Sequence, residues 1–418
     1  MKHRVRNTPF WAFATGAAMG AVQAVGFEAS DVLSYSAGPI TLRPGVVLAE
    51  RYDDNILFRQ DGPDKKGDFI TTLSPSLTFM LGHKASASPW VDYAETSPNY
   101  LTVSYTLDEN AYAKNAALNY EDHTLDVESQ YVTGRIYVMG RDRIQFLNGV
   151  VGGYENLGYT TGRIAYYDNY KFGYNLTQKT SVYVAGNYNA ADYATGTPLL
   201  DVNSWRGTLG FQWRAMPKTS FFGEVFYGQS AQNPNIPTIP KGPHLTSMGG
   251  YLGMTRTIAA KLKGTLKVGL EERSFAGSSE ASMTPVVDGS VNYRFTEKTT
   301  VDLKYARASN VSVQQVNVAY TSDTVGLNVY QVLTASGKLR ANGGVGYRMS
   351  GYEGSSSYGN RSDTWVSFNA GLTYYLRAWL TTSLAYQYEQ FSIDYARRYS
   401  NIIDYNASRV TLRLAIGY

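Results

Sequence analysis

The chain has no cysteine among its 418 residues. That excludes disulfide bridges, thiolate nucleophiles and cysteine-ligated metals. Histidine is almost as scarce, with four residues: His3, His83, His123 and His244. His83 and His123 fall in or near predicted short turns, and no serine stands in a nucleophile elbow. Glu271 and Glu272 are adjacent, so on a strand they project from opposite faces and cannot share a substrate, which leaves two-carboxylate glycoside chemistry unsupported. Beyond the N-terminal stretch no segment has 18 consecutive apolar residues, which excludes a spanning helix. The net charge of +4 is small and dispersed, which argues against a nucleic-acid surface. The sequence therefore predicts no catalytic residues, no cofactor, no metal and no nucleic-acid partner.

What is abundant is tyrosine (35) and glycine (40). Tyrosine suits strands and the membrane–water interface, where its ring is apolar and its hydroxyl stays wet. The mean hydropathy of −0.29 is low for a membrane protein. A β-barrel reconciles the two, because only every second residue faces lipid. Turns recur about every 40 residues: Asn175–Thr180, Ala215–Thr219 and Phe295–Thr299 share a Lys-Thr ending, with weaker echoes at 257–261, 334–338 and 376–380. Longer Gly-, Ser-, Asn-, Asp- and Pro-rich stretches alternate with them, as at Asp192–Asp201, Ser230–His244, Phe275–Ser282 and Glu353–Asp363. Short turns on one side and long loops on the other describe a transmembrane barrel with periplasmic turns.

Several strands alternate strictly. Trp205, Gly207, Leu209, Phe211 and Trp213 oppose Arg206, Thr208, Gly210, Gln212 and Arg214. A charge facing lipid at mid-bilayer costs about 2–4 kcal/mol. The charged face is therefore predicted to be the lumen, lined by Arg206, Arg214, Arg294, Arg340, Arg348, Arg409 and Arg413, offset by Asp288, Asp302, Glu224 and Glu271. Rings of charge set ion preference in pores. The basic excess predicts a weak anion preference or an affinity for acidic glycans, unless the charges only brace the wall.

The two ends agree with this reading. At the C-terminus Val410, Leu412, Leu414, Ile416 and Tyr418 share one face, while Thr411, Arg413, Ala415 and Gly417 share the other. The stretch resembles the C-terminal signal of outer-membrane barrels, which ends in an aromatic and is read by the barrel-insertion machinery. At the N-terminus Lys2, Arg4 and Arg6 precede an apolar run from Phe10 to Val22 and a small-residue site, Val22-Gln23-Ala24. That is a secretory signal peptide over residues 1–24. A short periplasmic lead over 25–39 and an outer-membrane barrel over 40–418 complete the expected organisation.

The predicted fold is all-β, a transmembrane antiparallel barrel of 18 strands, with 16 as the alternative. The expected spans begin Ile40–Ala49, Phe69–Leu81, Asn99–Leu107, Ala113–Tyr120 and Thr124–Val132, and resume at Arg163. Thr133–Thr161 is expected to be the longest loop and the candidate for folding inward.

Arg43-Pro44-Gly45-Val46-Val47-Leu48 followed by Tyr52-Asp53-Asp54-Asn55-Ile56, with Leu73-Ser74-Pro75-Ser76-Leu77 and the Lys-Thr turns, resembles the family called putative β-barrel porin 2. The resemblance implies an outer-membrane barrel of a Gram-negative cell, often associated with exopolysaccharide loci. The expected function is a pore passing a polar solute or exporting a polysaccharide. The alternative is a closed structural barrel whose loops bind a partner. Expected partners are outer-membrane lipids and lipopolysaccharide, the insertion machinery and a polysaccharide export complex. By residue chemistry, Asp53, Asp54 and Asn55 serve turn formation and capping. A cation site from Asp53, Asp54, Asp61, Asp64 and Asp68 is the second reading, although the spacing matches no EF-hand.

Overall fold

The structure is a computed structural model that describes residues 34–82, 99–150, 160–236, 244–258, 261–275, 281–313, 319–353, 361–377, 379–395 and 404–417. The strands are β1 (Tyr35–Ala37), β2 (Ile40–Asp53), β3 (Asp68–Gly82), β4 (Tyr100–Tyr112), β5 (Tyr120–Thr133), β6 (Ile136–Leu147), β7 (Arg163–Asn175), β8 (Thr180–Tyr193), β9 (Leu200–Met216) and β10 (Thr219–Pro234). They continue as β11 (Leu245–Thr257), β12 (Leu262–Phe275), β13 (Ala281–Arg294), β14 (Thr299–Val311), β15 (Ala319–Val332), β16 (Leu339–Glu353), β17 (Arg361–Arg377), β18 (Leu380–Tyr395) and β19 (Tyr405–Gly417). Each strand from β2 to β19 pairs antiparallel with its neighbours in sequence, and β19 pairs with β2 from Arg409↔Asp53 to Gly417↔Gly45. The sheet is thus a closed barrel of 18 strands, and closure leaves no edge unpaired in lipid. The short β1 pairs with Ile40–Leu42, on β2 just beyond the end of β19. Residues 34–39, assigned to the lead by sequence, carry this strand.

The predicted count of 18 coincides with the barrel, but two spans are corrected. Ala113–Tyr120 is not a spanning strand: residues 113–119 form a loop with a 3-10 turn at Ala116–Leu118. Asn119 Oδ1 there accepts the Tyr112 backbone N–H, so short polar side chains cap the backbone that a strand would have paired. Conversely, Ile136–Leu147, expected within a loop, is β6. The consecutive charges Arg141-Asp142-Arg143 fall on both faces and conceal its alternation. His123, expected near a short turn, lies in β5 close to the loop side, with its Nδ1 2.8 Å from the Tyr105 hydroxyl. His83 lies outside the described residues.

Two of the three Lys-Thr turns share a cause. Thr177 Oγ1 accepts the backbone N–H groups of Lys179 and Thr180, and Thr296 Oγ1 accepts that of Lys298, so one hydroxyl closes each β7–β8 and β13–β14 connection. Gly134, with φ of 54°, makes the tight turn between β5 and β6.

Outward faces carry exposed apolar ladders such as Trp205, Leu209, Phe211 and Trp213 on β9 or Val410, Leu412, Leu414 and Ile416 on β19. Inward aromatics lie flat because glycines on the next strand make room for them. A Cβ at Gly269 would collide with the Gly250 carbonyl oxygen and the Tyr251 ring, whereas one at Gly186 would meet nothing. Gly269→Ala is therefore expected to lower stability by about 1–3 kcal/mol, the usual cost of overpacking. Gly186→Ala should leave the denaturant midpoint of the detergent-refolded protein unchanged. Equal midpoints for the two variants would contradict the packing.

Candidate functional site

The eleven charged residues expected in the lumen all sit on the face opposite the exposed apolar ladders. Arg206 and Arg214 lie in the inward row of β9, Arg340 and Arg348 in that of β16, and Arg409 and Arg413 in that of β19. Glu224 on β10, Glu271 on β12, Asp288 and Arg294 on β13 and Asp302 on β14 complete the set.

Many of these charges are engaged with each other. Arg206 donates to Glu271 Oε1 at 3.2 Å and to the Tyr251 hydroxyl at 3.1 Å, and its guanidinium lies 4.2 Å from the Phe226 ring centroid. Glu224 accepts from the Tyr183 hydroxyl at 2.6 Å and pairs with Lys267 Nζ at 2.8 Å. Lys267 and Lys171 stand over the rings of Tyr251 and Tyr183. Asn292 donates to Asp302, and Arg340 donates to the Tyr375 hydroxyl. Arg214 and Arg413 make no ion pair among the described residues. The sequence reading missed Lys171, Tyr183 and Tyr251, and also Asp126, which pairs with Arg141 and Arg143. Their inward parity was legible, but the concentration of cation-over-ring contacts on β7–β12 depends on register.

At the loop side the segment 54–67 folds onto the inner wall. Of Thr133–Thr161, the expected inward loop, the first half is β6, and residues 151–159 of the rest lie outside the described residues. The Tyr52-Asp53-Asp54-Asn55 motif anchors the segment. Tyr52 stays on the lipid side beside Phe69, their ring centroids 5.0 Å apart. Asp53 turns inward and accepts from Arg409 Nε at 2.7 Å, and Arg409 Nη2 donates to Glu389 Oε1 at 2.9 Å. Asp54 and Ser408 exchange two hydrogen bonds through the Asp54 backbone N–H and carboxylate. Asn55 is fully buried, donates to the carbonyls of Arg59 and Asn406, and accepts from the Arg59 N–H. Phe58, at a φ of 52°, packs on Tyr405 and the cluster of Trp365, Phe391 and Ala407.

Lys65 reaches Asp61, Asp54 and Asn406 Oδ1, while Asn406 donates to Asp61. The Lys65 and Asn406 hydrogen bonds hold the Asp61 carboxyl below the usual carboxylate range. Burial pulls the Lys65 ammonium down, but Asp61 and Asp54 outweigh it and hold it above its ordinary value. Four of the five carboxylates of the alternative cation reading are thus directed elsewhere: Asp53 to Arg409, Asp54 and Asp61 to Lys65, and Asp68 to Asn115 and the Lys114 N–H. A second loop-side segment also reaches inward. Ser312 O accepts from Gln232, and Val313 packs with Tyr193 and Leu199, which ties the end of β14 to β8–β10.

Of the C-terminal insertion residues, Leu412, Leu414 and Ile416 lie on the exposed outer face, and Tyr418 lies outside the described residues.

Solved structures similar to this chain include OpdK of Pseudomonas aeruginosa with vanillate, at 9% identity and a TM-score of 0.45, covering 90% of this chain and 99% of that one. OccAB3 of Acinetobacter baumannii is similar at 10% identity and a TM-score of 0.44, with the same coverage of each chain. No curated protein matches the sequence. The profile of the family described as "Putative beta-barrel porin 2" matches residues 201–417, more than half of the chain. The chain belongs to that family and is an integral, porin-like β-barrel of the outer membrane.

Proposed function

We propose that the barrel is a passive pore for a polar solute, with residues 1–24 as export signal, 25–39 as lead and the turn side in the periplasm. The observation that carries this reading is the partition of side chains: apolar ladders face out, while arginines, lysines, carboxylates, amides and hydroxyls face in along the strands. Such a lining suits diffusion of hydrated solutes and needs no covalent chemistry. A polysaccharide is the solute we favour, delivered by a periplasmic export complex. The C-terminal strand, with Leu412, Leu414 and Ile416 outward, suits recognition by the barrel-insertion machinery.

The charge pattern refines the reading. Arg206 and Arg409 are neutralised by carboxylates and brace the wall, whereas Arg214 and Arg413 are not paired among the described residues. The lumen retains a basic excess, and guanidinium groups offer carboxylates a bidentate fork. Under a salt gradient across a planar bilayer, the reversal potential should show a weak preference for anions. A cation-selective pore would contradict the assignment of Arg214 and Arg413 to the permeation path. The second reading, a closed barrel whose loops bind a partner, is favoured by the inward segments 54–67 and Ser312–Val313. It predicts no conductance even when residues 56–66 are replaced by a short Gly-Ser turn.

A further inference from the structure

The inner wall of β15–β18 differs in kind from that of β9–β12. Charge is sparse along its inward middle: on β16 Arg340 and Arg348 bracket Asn342, Gly344 and Gly346, on β18 Glu389 follows Gln387, and Asp302 of β14 and Arg409 of β19 stand opposite Asn328 and Gln387. On the neighbouring strands Asn328, Asn369 and Gln387 face the lumen with Gly326, Gly371, Ser367, Thr373, Ser383 and Ala385. Register places Asn328, Gly344, Asn369 and Gln387 side by side in one row, and Tyr330, Asn342 and Gly371 in the next row toward the turns.

The glycines make room for the amides. A Cβ at Gly344 would strike Asn328 Oδ1 and come within 2.9 Å of Asn369 Nδ2, so both amides lean over that glycine. A Cβ at Gly371 would come within 2.7 Å of Asn342 Oδ1. All four amide side chains are half-buried and open to the lumen. None of the four has a side-chain hydrogen bond among the described residues, in contrast to the mutually engaged charges of β9–β12.

An amide presents a carbonyl acceptor beside an N–H donor pair. A hydroxyl is both donor and acceptor, so vicinal hydroxyls complement a row of amides and replace the water that otherwise occupies it. Ions gain less, because the four amides carry no formal charge and the charges beside them are already engaged, Asp302 by Asn292 and Glu389 by Arg409. We propose that the patch of Asn328, Asn342, Asn369 and Gln387 is a contact site for the hydroxyl groups of an uncharged carbohydrate chain in the lumen. The inference rests on the pore reading and adds to it a solute class and a wall.

The test is current blockade in planar bilayers by three probes: maltohexaose, a poly(ethylene glycol) of equal mass, and hexagalacturonate. Maltohexaose should interrupt the current, and the glycol, which lacks the hydroxyl pattern, should not. Asn342→Leu with Asn369→Leu is expected to weaken maltohexaose binding about tenfold or more, as the loss of two or more hydrogen bonds implies. Gly344→Ala, which displaces Asn328 and Asn369 while keeping every amide, should weaken it as well. Lys267→Gln, on β12 four strands away from β16, should leave it unchanged. Equal blockade by the glycol, blockade untouched by the amide variants, or preference for hexagalacturonate would overturn the proposal. If the folded wild-type barrel passes no current, the pore reading fails on its own. Calorimetric titration of the detergent-solubilised protein with maltohexaose then decides the patch. Binding that is lost in the Asn342→Leu/Asn369→Leu variant supports it, and absence of binding to the wild type overturns it.

Discussion

Arg409→Leu is expected to destabilise the barrel by about 3–5 kcal/mol, the range found when one partner of a buried ion pair is removed. Arg409 sits at the upper end of the β19–β2 seam, where it is shared between Asp53 and Glu389. Both carboxylates are themselves nearly inaccessible, at 4% and 8% exposure, so the substitution leaves two adjacent buried charges uncompensated. Phe58 also loses the guanidinium beside its ring. The denaturant midpoint of the refolded protein should fall accordingly. Asp53→Asn and Glu389→Gln introduced together with Arg409→Leu should recover much of the loss, because neutral amides carry no such desolvation penalty. A single variant as stable as the wild type would mean that the seam does not depend on this triad.

Leu414→Arg should block assembly, whereas Ala415→Arg should be accepted. Leu414 lies on the exposed outer face between Leu412 and Ile416. Ala415, its neighbour in sequence, points into the lumen opposite Val47 and Thr381. A lipid-facing arginine costs about 2–4 kcal/mol at mid-bilayer, a large share of the stability of a typical domain. The same side chain in the lumen stays hydrated. Heat-modifiable gel migration of the membrane fraction reads the folded population. Equal loss, or equal tolerance, at the two positions would contradict the assignment of faces.

Period-two alternation was legible wherever one face is strictly apolar, as on β9 and β19, because lipid tolerates few exceptions on that face. It failed at β6, where Asp142 interrupts the outward row and its hydroxyl partner, Tyr170, comes from β7. It failed again at 113–119, where Asn115 and Asn119 satisfy Asp68 and the Tyr112 N–H, contacts that no local pattern announces. The Asp53-Asp54-Asn55 motif could be read as turn chemistry, and Asn55 does cap Arg59. Its larger role is to join the first loop to Asn406, Ser408 and Arg409, more than 340 residues away, and only closure of the barrel brings those together. The amide patch was invisible for a similar reason. Asn328, Asn342, Asn369 and Gln387 are unremarkable polar positions until register places them on one wall.

The absence of cysteine makes the central claim directly measurable. Single cysteines placed at Thr208, Leu209, Gly210 and Phe211 on β9, and at Asn342 and Ser383 on the facing wall, can be exposed to a charged, membrane-impermeant maleimide in intact outer membranes. A water-filled lumen predicts labelling at Thr208, Gly210, Asn342 and Ser383, and protection at Leu209 and Phe211. Labelling at Leu209 and Phe211 with protection of the other four would contradict the account.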